Sequence, residues 1–412
     1  MDFFVKYKKI FFLIIFILAI FFIGYMLYFI FFKTEETTII VTQPQATTTK
    51  GLPIATTGTG QIITPTETTG LPTEVGGGEV KNISPKADGG LTQTTELNHL
   101  PSLGVTLAGN GSDLQYYDQE DGKFYRLTKD GKVSLLTDKV FHQVDKIFWS
   151  PDKNKAILKY PDGSNIIYDF STNRQITLPA HWKDFDFSPD GSKIVMKSLG
   201  LDPNNRWLAI SNIDGSNAQR IEDLGQNDET VYPAWSPNNQ IIAMYTEGLD
   251  LDRQEVFFIG LHNENFKSTI IDGRGFEPKW SPSGDKLLYS VYSSKNNLKP
   301  MLWLVNASGD NIGSGRTSLN VETWADKCVF ANQLDLYCAV PQKLEDGAGL
   351  FPEMAKNTKD NLYKIDLQTG LKKLIAIPDG NFSMSDMTIS ENGYYLYFTD
   401  QTTKTLHQIK LK

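Results

Sequence analysis

Five acidic residues recur at one place in a repeating phrase. Asp145, Asp184, Glu277, Asp326 and Asp386 lie three or four positions before Trp149, Phe187, Trp280, Phe330 and Ile389, each of which ends an apolar strand. A sixth such place holds Tyr232-Pro233 instead. Carboxylates gathered around one opening can focus negative potential and attract a cation or a basic peptide. A pair about 5–10 Å apart can hydrolyse a glycosidic bond. Alternatively, each carboxylate accepts bonds from nearby backbone N–H groups, or faces solvent, and does no chemistry. The residues alone leave these readings open.

Other chemistries are poorly served. Two cysteines exclude a disulfide-dense scaffold and a four-thiolate zinc site. The five histidines (His99, His142, His181, His262, His407) form no HxH or HxxxH pair, so no metal or other cofactor is expected. Gly76–Gly78, Gly309, Gly313 and Gly315 lack the strand-to-helix setting of a phosphate loop. A formal net charge of −8 over 412 residues argues against nucleic acid as a partner. Cys328 and Cys338 flank the turn Ala331–Asp335, which sets Phe330 opposite Leu336 and Cys328 opposite Cys338. Directly opposed residues of an antiparallel pair are within disulfide reach, so a structural disulfide is predicted, with two buried free thiols or a redox-catalytic pair as the other readings.

The elements that must position these residues form a repeat. Trp149-Ser150-Pro151-Asp152, Phe187-Ser188-Pro189-Asp190-Gly191, Trp235-Ser236-Pro237-Asn238 and Trp280-Ser281-Pro282-Ser283-Gly284 are followed by weaker copies at Phe330-Ala331-Asn332 and Ile389-Ser390-Glu391-Asn392-Gly393. Successive landmarks are 38, 48, 45, 50 and 59 residues apart, the period of a propeller blade. An apolar residue closes a strand and Ser-Pro-Asp-Gly makes the turn: Pro presets φ, Asp bonds its own backbone, and Gly accepts positive φ. A second apolar strand follows, such as Ile194-Val195-Met196 or Leu287-Leu288-Tyr289. Residues 103–148 lack the phrase but hold blade-like strands at 114–117, 123–127 and 133–136. The expected fold is all-β, a propeller of about seven four-stranded antiparallel blades, although six or eight also fit. The last unit is a strand short, so closure is expected to borrow one from near residues 95–108.

The phrase W-S-P-D-G-x-K before an apolar strand resembles the TolB-type, WD-like β-propeller repeat over roughly residues 145–400. That resemblance implies the fold and leaves function open. TolB itself carries an α/β domain ahead of its propeller, where this chain has an apolar run and a polar tether. Similar repeats form the lid of prolyl-oligopeptidase-like enzymes, but no G-x-S-x-G elbow occurs here.

Ile10 to Phe32 is a run of 23 uncharged residues. At 1.5 Å per residue a helix of that length spans about 35 Å, enough for a bilayer core. Its end, Phe-Ile-Phe-Phe-Lys-Thr-Glu-Glu, lacks a small-residue cleavage site, which predicts an uncleaved signal anchor. Lys6, Lys8 and Lys9 hold residues 1–9 inside, and everything after Phe32 is expected outside the cell membrane. Residues 33–102, rich in Thr, Pro and Gly, read as a disordered linker. The body then spans 103–412. Within it, Pro341 to Asn361 is a long insertion whose apolar tip, Leu350-Phe351, either meets a partner or folds back over the propeller face. The functional expectation is a membrane-tethered, non-catalytic binding or scaffolding module for a protein, peptide or cell-wall ligand. The alternative is an envelope glycan or ester hydrolase using carboxylates at the channel mouth.

Overall fold

The computed structural model describes residues 17–26, 82–262 and 264–412. It comprises two units, residues 1–76 and 77–412. In the first, residues 17–26 are helical and expose apolar side chains such as Phe21 and Phe22. Among the described residues no helix is long and apolar enough to cross a membrane. The remainder of the expected 10–32 anchor, and residues 33–81 of the expected linker, lie outside the described residues.

The second unit is a seven-bladed β-propeller of four-stranded antiparallel sheets. The inner strands, one per blade, are Ser102–Leu107, Lys146–Trp149, Trp182–Phe187, Val231–Pro233, Arg274–Trp280, Cys328–Phe330 and Met384–Ile389. Those of neighbouring blades pack together from the sixth, through the seventh and first, to the fourth. The second strand of each blade reads as an unbroken apolar run because both its faces are buried. In the second blade, Ile157 packs towards the third blade, while Ala156 and Leu158 pack towards the first. A core cluster of this kind lies between each pair of adjacent blades.

The recurring phrase is turn chemistry. The Ser150, Ser188, Ser281 and Ser390 hydroxyls each accept the backbone N–H five residues on, at 2.9–3.0 Å. The residue three beyond the turn serine takes positive φ whether it is Lys153, Gly191, Asn239, Gly284 or Gly393. Trp149 and Trp280 also tie neighbouring blades together, donating from Nε1 to the carbonyls of Gly104 and Ala234 at 2.6 and 3.1 Å.

The ring begins before Leu103. Thr94–Asn98 pairs antiparallel with Leu406–Lys410 and completes the seventh blade, so first and last segments share one sheet. The borrowed strand therefore starts and ends ahead of most of the expected 95–108 window, and Ser102–Leu107 is instead the inner strand of the first blade. Leu91–Thr92 adds in parallel to Lys372–Pro378 at the edge of the sixth.

Candidate functional site

The acidic positions are partly a product of backbone shape. Asp184 and Asp386 occupy bulges where the inner strand slips register, with φ of +51° and +46°. Gly104 holds the matching bulge in the first blade, with φ of +63°. Aspartate is among the few residues besides glycine that tolerate this region, and a bulge re-aims its side chain.

The five carboxylates do not behave as one ring. Asp145 lies 3.4 Å from Lys159 and Asp184 lies 2.9 Å from Lys197, each lysine on the neighbouring strand of the same blade. Around Glu277, Asp326 and Asp386, from the fifth, sixth and seventh blades, the Asp326 charge instead acts on the other two. Burial, and then the Asp326 charge, push the Glu277 carboxyl up to about 7, against a 3.1 Å hydrogen bond from Ser290. Asp386 is raised by burial and by Asp326, with Lys404 and Lys279 opposing. Lys279 sits among them and donates to the carbonyl of Cys328. Burial lowers its pKa, while attraction to Asp326 and Asp386 works the other way. Among the described residues no cluster of three or more His, Cys, Asp or Glu side chains could hold a metal ion.

A small cleft opens at two of the trio, lined by Glu277, Asp326, Trp324, Lys327, the insertion's Pro352, Ala355 and Lys356, and Gln401. Beneath it Lys327 and Asp360 form a buried ion pair at 2.6 Å, and Asp360 also accepts the Met384 N–H at 2.7 Å. The insertion does not fold its tip inward as one reading had it. Leu344, Ala348 and Ala355 pack on Trp324, whereas Leu350 and Phe351 remain 43% and 59% exposed.

Sequence reasoning missed Lys279 and the half-buried Asp186. Both sit immediately before the strand-ending landmark, where other blades have Phe148, Ala234, Val329 and Thr388. A charge at an otherwise uncharged register position was the available signal. The predicted pair of cysteines does meet: Cys328 and Cys338 are register partners and are disulfide-bonded, with Cα atoms 4.1 Å apart.

No family model matches the chain, and no curated protein matches it. Solved structures share the fold. An oligogalacturonate lyase in complex with manganese aligns with a TM-score of 0.51 at 14% identity, covering 77% of this chain and 93% of that one. The oligogalacturonate lyase of Vibrio parahaemolyticus gives 0.51 at 13% identity over the same shares. The Swd1 β-propeller domain from Myceliophteria thermophila gives 0.50 at 10% identity, covering 77% of this chain and all (100%) of that one. At such identities the likeness speaks for the propeller alone.

Proposed function

We propose that the mouth formed by the fifth, sixth and seventh blades is a ligand site for a cationic group, borne by a protein, peptide or cell-wall component. The observation that carries this reading is that the Asp326 charge bears on both Glu277 and Asp386, with Glu277 and Asp326 lining a cleft, in contrast to the lysine-paired Asp145 and Asp184. Repelling carboxylates gain when a cation joins them, because each is then relieved of its neighbour's charge. In this reading the propeller is TolB-like, held outside the cell membrane by residues 10–32, with Leu350 and Phe351 offering apolar contact at the rim. Screening the chain against an array of peptides of graded charge tests it: the bound set should be enriched in Lys and Arg. An array bound without regard to charge overturns it.

A second reading of the same residues is catalytic. Glu277, raised to about 7, retains its proton in a large fraction of molecules at neutral pH, as a general acid in glycoside hydrolysis must. The adjacent, exposed Asp326 would then serve as the base or nucleophile. Turnover of chromogenic glycosides or esters, abolished by Glu277→Gln, would favour this reading over simple binding.

A further inference from the structure

A different place in the fold is built to admit a ligand. Pairing across the second and third strands of a blade sets one side chain against the preceding blade. At that row stand Tyr125 in the first blade, Ile166 in the second, Trp303 in the fifth, Tyr363 in the sixth and His407 in the seventh. The third blade has Ala209, opposite Met196. Ala209 belongs to the core cluster that holds the second blade's Ile157 and Ile167, and its small side chain also lines open space. A cleft opens there, lined by the third blade and by Pro179 and His181 of the segment that joins it to the second.

The lining has a definite chemical character. Trp207 lies half-buried in the wall, and the Arg220 guanidinium stacks on its ring with 3.7 Å to the centroid. Among the described residues no ion pair and no side-chain hydrogen bond engages Arg220, and no acidic residue lines the cleft. By contrast Arg316, beside Trp303 in the fifth blade, is held at 2.8 Å by Asp272 of the fourth. The position matching Asp272, eight before the strand-ending landmark, is Pro179 in the cleft. Ser198, Asn205 and Gln219 add hydrogen-bonding groups around the rim.

We infer that this cleft binds an acidic saccharide. A sugar ring has an apolar C–H face for the wall of Pro179, Leu199 and Leu201, hydroxyls for the polar rim, and a carboxylate for bidentate pairing with the guanidinium that Trp207 holds in place. This site is separate from the acidic channel mouth and carries the opposite charge preference.

Isothermal titration of the full chain with a uronic-acid trisaccharide and with its neutral hexose counterpart tests the inference. The acidic sugar should bind at least tenfold more tightly than the neutral one. Ala209→Trp, which installs the side chain that the fifth blade carries at this row, should abolish binding of both. Arg220→Gln, at an exposed position that does not endanger folding, should erase the preference for the acidic sugar. Absence of binding by either sugar, equal affinity for the two, or an unaltered preference in Arg220→Gln would each overturn the inference. So would an Ala209→Trp protein that melts like the parent and still binds.

Discussion

Asp186 in the third blade accepts the backbone N–H of Trp235 in the fourth at 2.6 Å, while its other carboxylate oxygen takes the N–H of Phe187 at 2.8 Å. One side chain thus completes two main-chain donors and ties the third blade's inner strand to the turn that follows the fourth's. Burial is the main force on its pKa, which rises to about 6 despite both hydrogen bonds and the nearby Lys153. The folded protein therefore binds this proton more tightly than the unfolded chain does. Stability from this group is full below the ordinary aspartate range near pH 4 and is lost as pH rises through about 6. Urea midpoints measured from pH 4 to 7 should fall across that window for the parent, and the fall should be shallower in Asp186→Ala. That variant should also be destabilised throughout by about 1–3 kcal/mol for each N–H it orphans.

Removing the Cys328–Cys338 link frees a short loop in the unfolded chain. Loop-closure entropy for such a span puts the loss near 2–3 kcal/mol for the Cys328→Ala/Cys338→Ala double variant. Thiol titration of the denatured, unreduced parent should detect no free thiol, and two after reduction. Both residues are fully buried within the packing between the fifth and sixth blades, so the variant also leaves a small void.

Ring closure rests on Thr94–Asn98, and a variant lacking residues 1–101 would leave Leu406–Lys410 as an open edge. Unpaired edges template association. Size-exclusion chromatography should show that variant aggregating or self-associating, whereas one lacking only residues 1–81 elutes as a single sharp species.

The Asp326 charge helps to hold Glu277 at about 7, so Asp326→Asn should lower the Glu277 pKa towards the ordinary glutamate range. Carbon-detected NMR titration of the labelled carboxyl reads this directly. An unchanged midpoint would mean that burial alone sets it.

The blades were legible because their signal is local. A turn that needs Ser to accept an N–H five residues on, and a positive φ three residues on, must repeat the same few residue types wherever it occurs. The cysteine register followed from the same counting across one tight turn. That the last blade borrows a strand from ahead of its own repeat was legible, but the bounds of Thr94–Asn98 were not: its Thr-rich, polar composition matches the segment before it, and its partner lies more than three hundred residues away. Of the acidic positions, spacing revealed that they recur, but not that Lys159 and Lys197 pair with two of them. Such pairing depends on which face of a neighbouring strand each lysine takes after a bulge. The cleft at Ala209 was hidden for a different reason. It arises from a side chain that is small where other blades are large, and alanine in a strand is unremarkable until the blades are laid over one another.

The most direct measurement is the affinity of a Lys- and Arg-rich peptide for the parent and for the Glu277→Gln/Asp326→Asn/Asp386→Asn variant, taken at low and at moderate salt. The channel-mouth account predicts binding by the parent that weakens with salt and drops at least tenfold in the variant, while Asp145→Asn/Asp184→Asn changes it little. Equal affinity of the parent and the triple variant, or tighter binding of an acidic peptide than of a basic one, would contradict it.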